Sequence, residues 1–161
     1  MQGSSEKKSP WLDPASVTPR LGSVYPAPFG EKLGGREKRA LGDPLGLSQF
    51  GVNLVTLAPG SWSSQRHWHA NEDEFIYVLE GEVTLVTDSG EMLLGPGMAA
   101  GFPAGKPDGH HLINRSGSPV RYLEVGTRAD TEEAQYSDID MMAKKEGGRF
   151  VFMRKNGEPY E

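Results

Sequence analysis

The sequence predicts an all-β domain closed into a double-sheet barrel, and three observations carry that prediction. Short runs with strand character follow one another from Gln49 to about residue 126 at the spacing of a sandwich or barrel. Turn chemistry separates them: Pro59-Gly60, Glu80-Gly81-Glu82, Asp88-Ser89-Gly90, Gly95-Pro96-Gly97 and Ser116-Gly117-Ser118-Pro119. The 21 Gly and 12 Pro among 161 residues are more than a helical chain of this length tolerates. A chain of this size is one domain, able to bury roughly 70% of its unfolded surface, and no internal repeat divides it.

Residues 1–46 differ in character from the rest of the chain. Pro10, Pro14, Pro19, Pro26 and Pro28 break any helix, while Trp11, Leu12, Val17, Leu21, Val24, Tyr25 and Phe29 supply apolar anchors. This segment is expected to be an extended arm packed on the barrel, because disordered tails lack such anchors. The run Arg36-Glu37-Lys38-Arg39 offers an anion site, but solvated surface is the preferred reading. The barrel is expected over 47–127, with strands near 49–57, 62–69, 74–80, 82–87, 91–94, 98–102, 110–115 and 119–126. From Glu74 to Leu79 both strand faces are apolar: Ile76 and Val78 share the face of Glu74, and Phe75, Tyr77 and Leu79 lie opposite. An apolar outer face needs a cover, so the arm and a second copy of the chain in a homodimer are both expected to supply one. In the C-terminal extension, 128–161, a helical turn is expected at 131–134. A short helix capped by Asp138 and running to Lys145 should follow, then a strand over 150–154 before Asn156-Gly157.

The bulk charge excludes some functions. With 17 basic and 22 acidic side chains the net charge is −5, which disfavours a general nucleic-acid binder. Without cysteine there is no disulfide, thiolate nucleophile or cysteine-ligated metal. No stretch reaches the ~18 apolar residues of a membrane span, and the polar start from Met1 to Pro10 lacks a signal-peptide core, so a cytoplasmic protein is expected. Neither a Ser/His/Asp signature nor a phosphate loop is present, and Gly95-x-Gly97 with Gly101 lacks the helix a dinucleotide site needs.

All four histidines lie between residues 67 and 111. His67 and His69 alternate onto one strand face, Glu74 follows five residues on, and His110 or His111 arrives later. Three imidazoles and one carboxylate suit a divalent transition metal and leave it open positions. The metal set is therefore His67, His69, Glu74 and His110. His110 is preferred to His111 because it shares a face with Leu112 and Asn114, whereas His111 would bring Arg115 inward. Glu72 and Tyr77 are the candidate catalytic groups at the mouth, with Asp73, Arg66, Lys106, Asp108 and Arg115 as further mouth residues. Gly81, Gly97, Pro103 and Gly105 shape turns, and Asn114 fixes a loop or backs the ligands.

The string HxH-x4-E-x6-G, formed by His67, His69, Glu74 and Gly81, resembles the first motif of the cupin superfamily. Gly97, Pro103, Gly105, His110 and Asn114 resemble the second. Six residues rather than five separate Gly60 from His67, and two extra residues lie between Gly105 and His110. Residues 50–126 are similar to the double-stranded β-helix, or jelly roll, of small bacterial single-domain cupins. The flanks Arg20-Leu21-Gly22 and Asp138-Ile139-Asp140-Met141 and the Gly-Glu-Pro-Tyr ending resemble a branch described as sugar-phosphate-isomerase-like. The resemblance implies one divalent ion (Zn, Mn, Fe or Ni), a small-molecule ligand and a homodimer. Sugar-phosphate isomerisation is the leading expectation for the reaction. A non-haem metal dioxygenase and a non-catalytic ligand-binding or sensory module are the alternatives.

Overall fold

A computed structural model describes residues 9–160; residues 1–8, where the polar start falls, and Glu161 lie outside the described residues. The described residues form thirteen strands: β1 (Arg20–Leu21), β2 (Arg36–Ala40), β3 (Phe50–Leu57), β4 (His67–His69), β5 (Glu74–Glu80), β6 (Val83–Thr87), β7 (Gly90–Leu94), β8 (Ala99–Phe102), β9 (His111–Ile113), β10 (Val120–Thr127), β11 (Glu133–Tyr136), β12 (Met142–Glu146) and β13 (Arg149–Met153). They make a six-stranded sheet in the order β1-β2-β3-β10-β5-β8, a three-stranded sheet β7-β6-β9 and a four-stranded sheet β13-β12-β11-β4. Every strand pairing is antiparallel. The architecture is the all-β barrel that the strand spacing predicts.

Alternation along the large sheet separates a core from a cavity. On β3, β5 and β10 the inward positions Val55, Leu57, Ile76, Val78, Val120 and Tyr122 join Val83, Leu94 and Leu112 in one apolar cluster. Further along the same faces, Asn53, Glu74, Glu124 and Gly126 line an open cavity of about 850 Å³. The apolar end stabilises the barrel by area removed from water; the polar end lines the cavity. Gly81 closes the β5–β6 turn at φ +79°, and a Cβ there would lie 2.7 Å from the Pro119 carbonyl. Only glycine meets both conditions.

Three expectations need correction. The Arg36–Arg39 run is not solvated surface: it is β2, half-buried and paired with β3 from Arg36 opposite Leu57 to Ala40 opposite Asn53. Neither C-terminal helix forms. Residues 133–136 are β11 and 142–146 are β12, because Ala134, Tyr136, Met141 and Ala143 alternate into a second cluster with Tyr25, Phe29 and Phe152. Asp138 caps nothing; both its oxygens accept from Arg66. The arm does pack, through Tyr25 against Tyr136 and Phe152 and through Phe29 against Tyr160. It does not cover the outer face of β5, where Phe75, Tyr77 and Leu79 are 44, 39 and 43% exposed. Among the described residues no helix is long and apolar enough to cross a membrane.

Candidate metal centre

Strand pairing assembles the site. His67 pairs directly across from His110 through reciprocal backbone bonds of 2.9 and 3.2 Å, so two distant histidines become neighbours. Alternation on β4 places His69 beside His67. Glu74 opens β5 opposite Phe102 of β8, and the Phe102 ring stacks flat on the His110 ring with centroids 3.6 Å apart. The longer loop before His110 passes against Ser137: a Cβ on Gly109 would lie 2.0 Å from the Ser137 hydroxyl. Glycine is the residue that fits there.

The ligating atoms converge. His67 Nε2 lies 3.1 Å from His69 Nε2, and Glu74 Oε2 lies 3.6, 3.5 and 2.5 Å from the Nε2 atoms of His67, His69 and His110. A divalent ion about 2.1 Å from each donor sets neighbouring donors about 3 Å apart, a spacing that His67, His69 and Glu74 approach, while His110 is hydrogen-bonded to Glu74 at 2.5 Å. His67 Nδ1 donates to the Gln65 carbonyl at 2.8 Å, leaving its Nε2 lone pair directed at the cluster. Among the described residues the buried Nδ1 atoms of His69 and His110 have no hydrogen-bond partner, and His69 Nδ1 faces Glu132. His67, His69 and Glu74 form one of the His/Glu groups able to hold a metal, and His110 joins them through Glu74.

The electrostatics express this crowding. Burial pushes the Glu74 carboxyl up, but hydrogen bonds with His110, His67 and His69 hold it well below the usual carboxylate range. At His69 burial works against the charged ring, yet Glu74 and Glu132 outweigh it and the imidazole is raised. At His110 burial wins over the Glu74 bond and the imidazole is lowered.

The other expected site residues scatter. Glu72 lines the cavity, but its Oε1 is taken by Lys145 Nζ at 2.5 Å and by the Ala129 amide at 3.0 Å. Tyr77 leaves the site: it sits on the outer face of β5, opposite Glu74, as strand alternation requires. The Asp73 Oδ1 accepts from the Ala104 amide, a loop contact. Arg66 clamps Asp138 with bonds of 2.7 and 2.9 Å and also reaches Asp88 and the Gly109 carbonyl. Arg115 pairs with Glu91 on the surface. Lys106 and Asp108 line a separate cavity of about 170 Å³ that also touches His69 and His110. His111 donates Nδ1–H to the Ser64 carbonyl at 3.0 Å and meets Trp62 edge-on, outside the cluster. Asn114 is fully buried and ties its loop by donating to the Leu57 and Ser118 carbonyls.

Sequence reasoning gave no site role to Glu124, Glu132, Tyr25 or Tyr136, and it set aside the anion site that the Arg36–Arg39 run offered. One signal was available: on β10 Glu124 alternates with Tyr122 and Gly126, an acidic residue facing a barrel interior.

The fold is an all-β barrel carrying a His/Glu group that could hold a metal, and similarity names its family. The Cupin domain family matches residues 53–126. A structure from Silicibacter pomeroyi, described as a sugar phosphate isomerase from a cupin superfamily, is 51% identical. It covers 94% of this chain and 97% of that one with a TM-score of 0.91. A candidate sugar phosphate isomerase from Acidithiobacillus ferrooxidans is 27% identical over 78% of this chain and 80% of that one, with a TM-score of 0.71. The polyketide cyclase RemF from Streptomyces resistomycificus is 26% identical over 73 and 78%, with a TM-score of 0.61. No curated protein matches. The chain belongs to the cupin superfamily, in the branch whose members resemble these sugar phosphate isomerases.

Proposed function

We propose that the protein is a metal-dependent isomerase of a small phosphorylated sugar. The observation that carries this reading is the convergence of three imidazoles and one carboxylate in the wall of a cavity of about 850 Å³, large enough for a small metabolite. The descriptions of the Silicibacter and Acidithiobacillus proteins support the substrate class. His67, His69, His110 and Glu74 would hold the ion, which when bound polarises a carbonyl oxygen and stabilises enediolate charge. Tyr136 packs against the His67 ring and Phe102 stacks on the His110 ring, which orients both imidazoles. Moving a proton between adjacent carbons needs a second carboxylate. Glu124 fills that role better than Glu72: it faces the cavity, oriented by Lys38 at 2.8 Å and Asn53 at 3.3 Å, whereas Lys145 and Ala129 engage Glu72.

Elemental analysis of protein purified without added metal, followed by NMR detection of solvent deuterium entering aldose and ketose phosphates, tests the reading. Manganese or zinc with deuterium exchange is the expected result. Iron or nickel with substrate-dependent oxygen uptake would replace it with a dioxygenase, and neither metal nor exchange with a binding module.

A further inference from the structure

Arg36 is a cation of the cavity wall that lacks a carboxylate partner. Its Nε donates to the Gly22 carbonyl at 3.0 Å and its Nη1 to the Ser63 carbonyl at 2.7 Å, both neutral acceptors. Among the described residues it makes no ion pair, although it is half-buried. The other half-buried cations lining that wall are neutralised, Lys38 by Glu124 at 2.8 Å and Lys145 by Glu72 at 2.5 Å. At the mouth Arg128 pairs with Asp43. A charge withdrawn from water without a counter-ion is costly, and the cost is recovered when an anion arrives. Two carbonyls already fix the guanidinium plane, so little side-chain freedom remains to be lost when it engages an oxyanion.

Arg36 and the histidine cluster line one cavity, with phenol rings among its lining residues. Tyr25 meets Tyr136 edge-on at 5.6 Å, and the Tyr136 ring lies 5.6 Å from the His67 ring. Burial pushes the hydroxyls of Tyr25, Tyr122 and Tyr136 up, so all three stay protonated. Each also feels Arg36, which lowers it, and Glu74, which raises it. The three rings therefore stand within the fields of both charges, in one cavity.

We propose that Arg36 anchors an oxyanion substituent, phosphate or carboxylate, on the ligand whose other oxygens reach the His67, His69, Glu74 and His110 cluster. The far end of that ligand rests on the isomerase reading; the anion subsite does not. An anion at Arg36 explains how a cavity with acidic Glu74 and Glu124 in its wall accepts a negatively charged metabolite, by placing the opposite charge where the polar group ends.

Calorimetric titration of the full chain with inorganic phosphate and separately with acetate tests the subsite. Wild type should bind phosphate saturably. Arg36→Gln should weaken it at least about tenfold, and Arg36→Lys, which keeps the charge and loses the fork, by less. Arg128→Gln should change it less than about twofold, because its charge is already paired. Tighter binding of acetate than of phosphate would assign the substituent as a carboxylate. Should the variants unfold, the wild-type NMR signal of the Arg36 Nε–H should still move with phosphate while that of Arg128 stays. Absence of saturable binding of either anion, equal binding by Arg36→Gln, or a shift at Arg128 alone would overturn the proposal. Mn²⁺ titration of the same proteins separates the two readings. If wild type and Arg36→Gln both refuse the metal, the isomerase reading fails, and the phosphate data still decide Arg36.

Discussion

His69 Nδ1 faces Oε1 of Glu132 at 3.6 Å, and among the described residues that buried ring nitrogen has no hydrogen-bond partner. The Glu132 side chain is wholly buried and held rigidly: Oε1 accepts from the Ala70 and Glu133 amides and Oε2 from Asn71. A fixed carboxylate behind an imidazole favours the Nδ1–H tautomer, which turns the Nε2 lone pair toward the metal cluster.

Glu132→Gln should therefore weaken metal binding by about 10- to 100-fold, the usual cost of losing such a backing group. The amide oxygen can still accept from one or two backbone amides, so the barrel should remain folded. Competition with a chromophoric chelator reads the affinity, and thermal unfolding monitors the fold. Unchanged affinity would show that Glu132 only braces the loop.

The paired histidines give a cleaner contrast. His69→Ala and His110→Ala should each empty most of the metal from purified protein while circular dichroism stays that of a β-barrel, because the apolar cluster lies elsewhere. His111→Ala should keep its metal yet lose about 1–2 kcal/mol of stability, since it drops the bond to Ser64 and the edge contact with Trp62. Metal content that survives in His110→Ala and collapses in His111→Ala would reverse the assignment.

Period-two alternation made much of this legible from sequence. It put Ile76 and Val78 in the core and Phe75, Tyr77 and Leu79 outside, and it turned Arg115 out to Glu91. By the same rule Tyr77 had to leave the site. What stayed hidden depends on which strands pair. Glu132 reaches His69 because β11 pairs with β4, and Arg36 reaches the cavity because β2 pairs with β3. Such registers join residues far apart in sequence, and no local pattern encodes them. The misread C-terminal helix has the same origin: Asp138 has the chemistry of a cap, but Arg66, brought close by the fold, takes both its oxygens.

The outer face of β5 bears on assembly. Phe75, Tyr77 and Leu79 lie on one side of the strand with no described segment over them, so a second copy is the expected cover. Sedimentation velocity should then show a dimer, and Phe75→Glu with Leu79→Glu should shift it to monomer without changing the metal content. A wild-type monomer at the concentrations of these experiments would rule the homodimer out.

Glu124 supplies the sharpest test of the chemistry. It faces the cavity from β10, paired with Lys38 on one side and Asn53 on the other, and it touches none of the four metal-site side chains by hydrogen bond. A proton-moving carboxylate must be near the cluster yet outside it, so that its replacement removes a step and not the ion. Glu124→Gln keeps the shape and can still face Lys38 through its amide oxygen. Metal content should stay within about twofold of wild type while the rate of deuterium exchange into substrate falls by about 10²- to 10⁴-fold, the usual worth of a positioned general base. Glu72→Gln should behave differently. It weakens the tie to Lys145 and to the Ala129 amide and so should lower thermal stability, with a smaller effect on exchange. If Glu72→Gln abolishes exchange and Glu124→Gln spares it, the proton is moved by Glu72 and Glu124 has no part in the transfer.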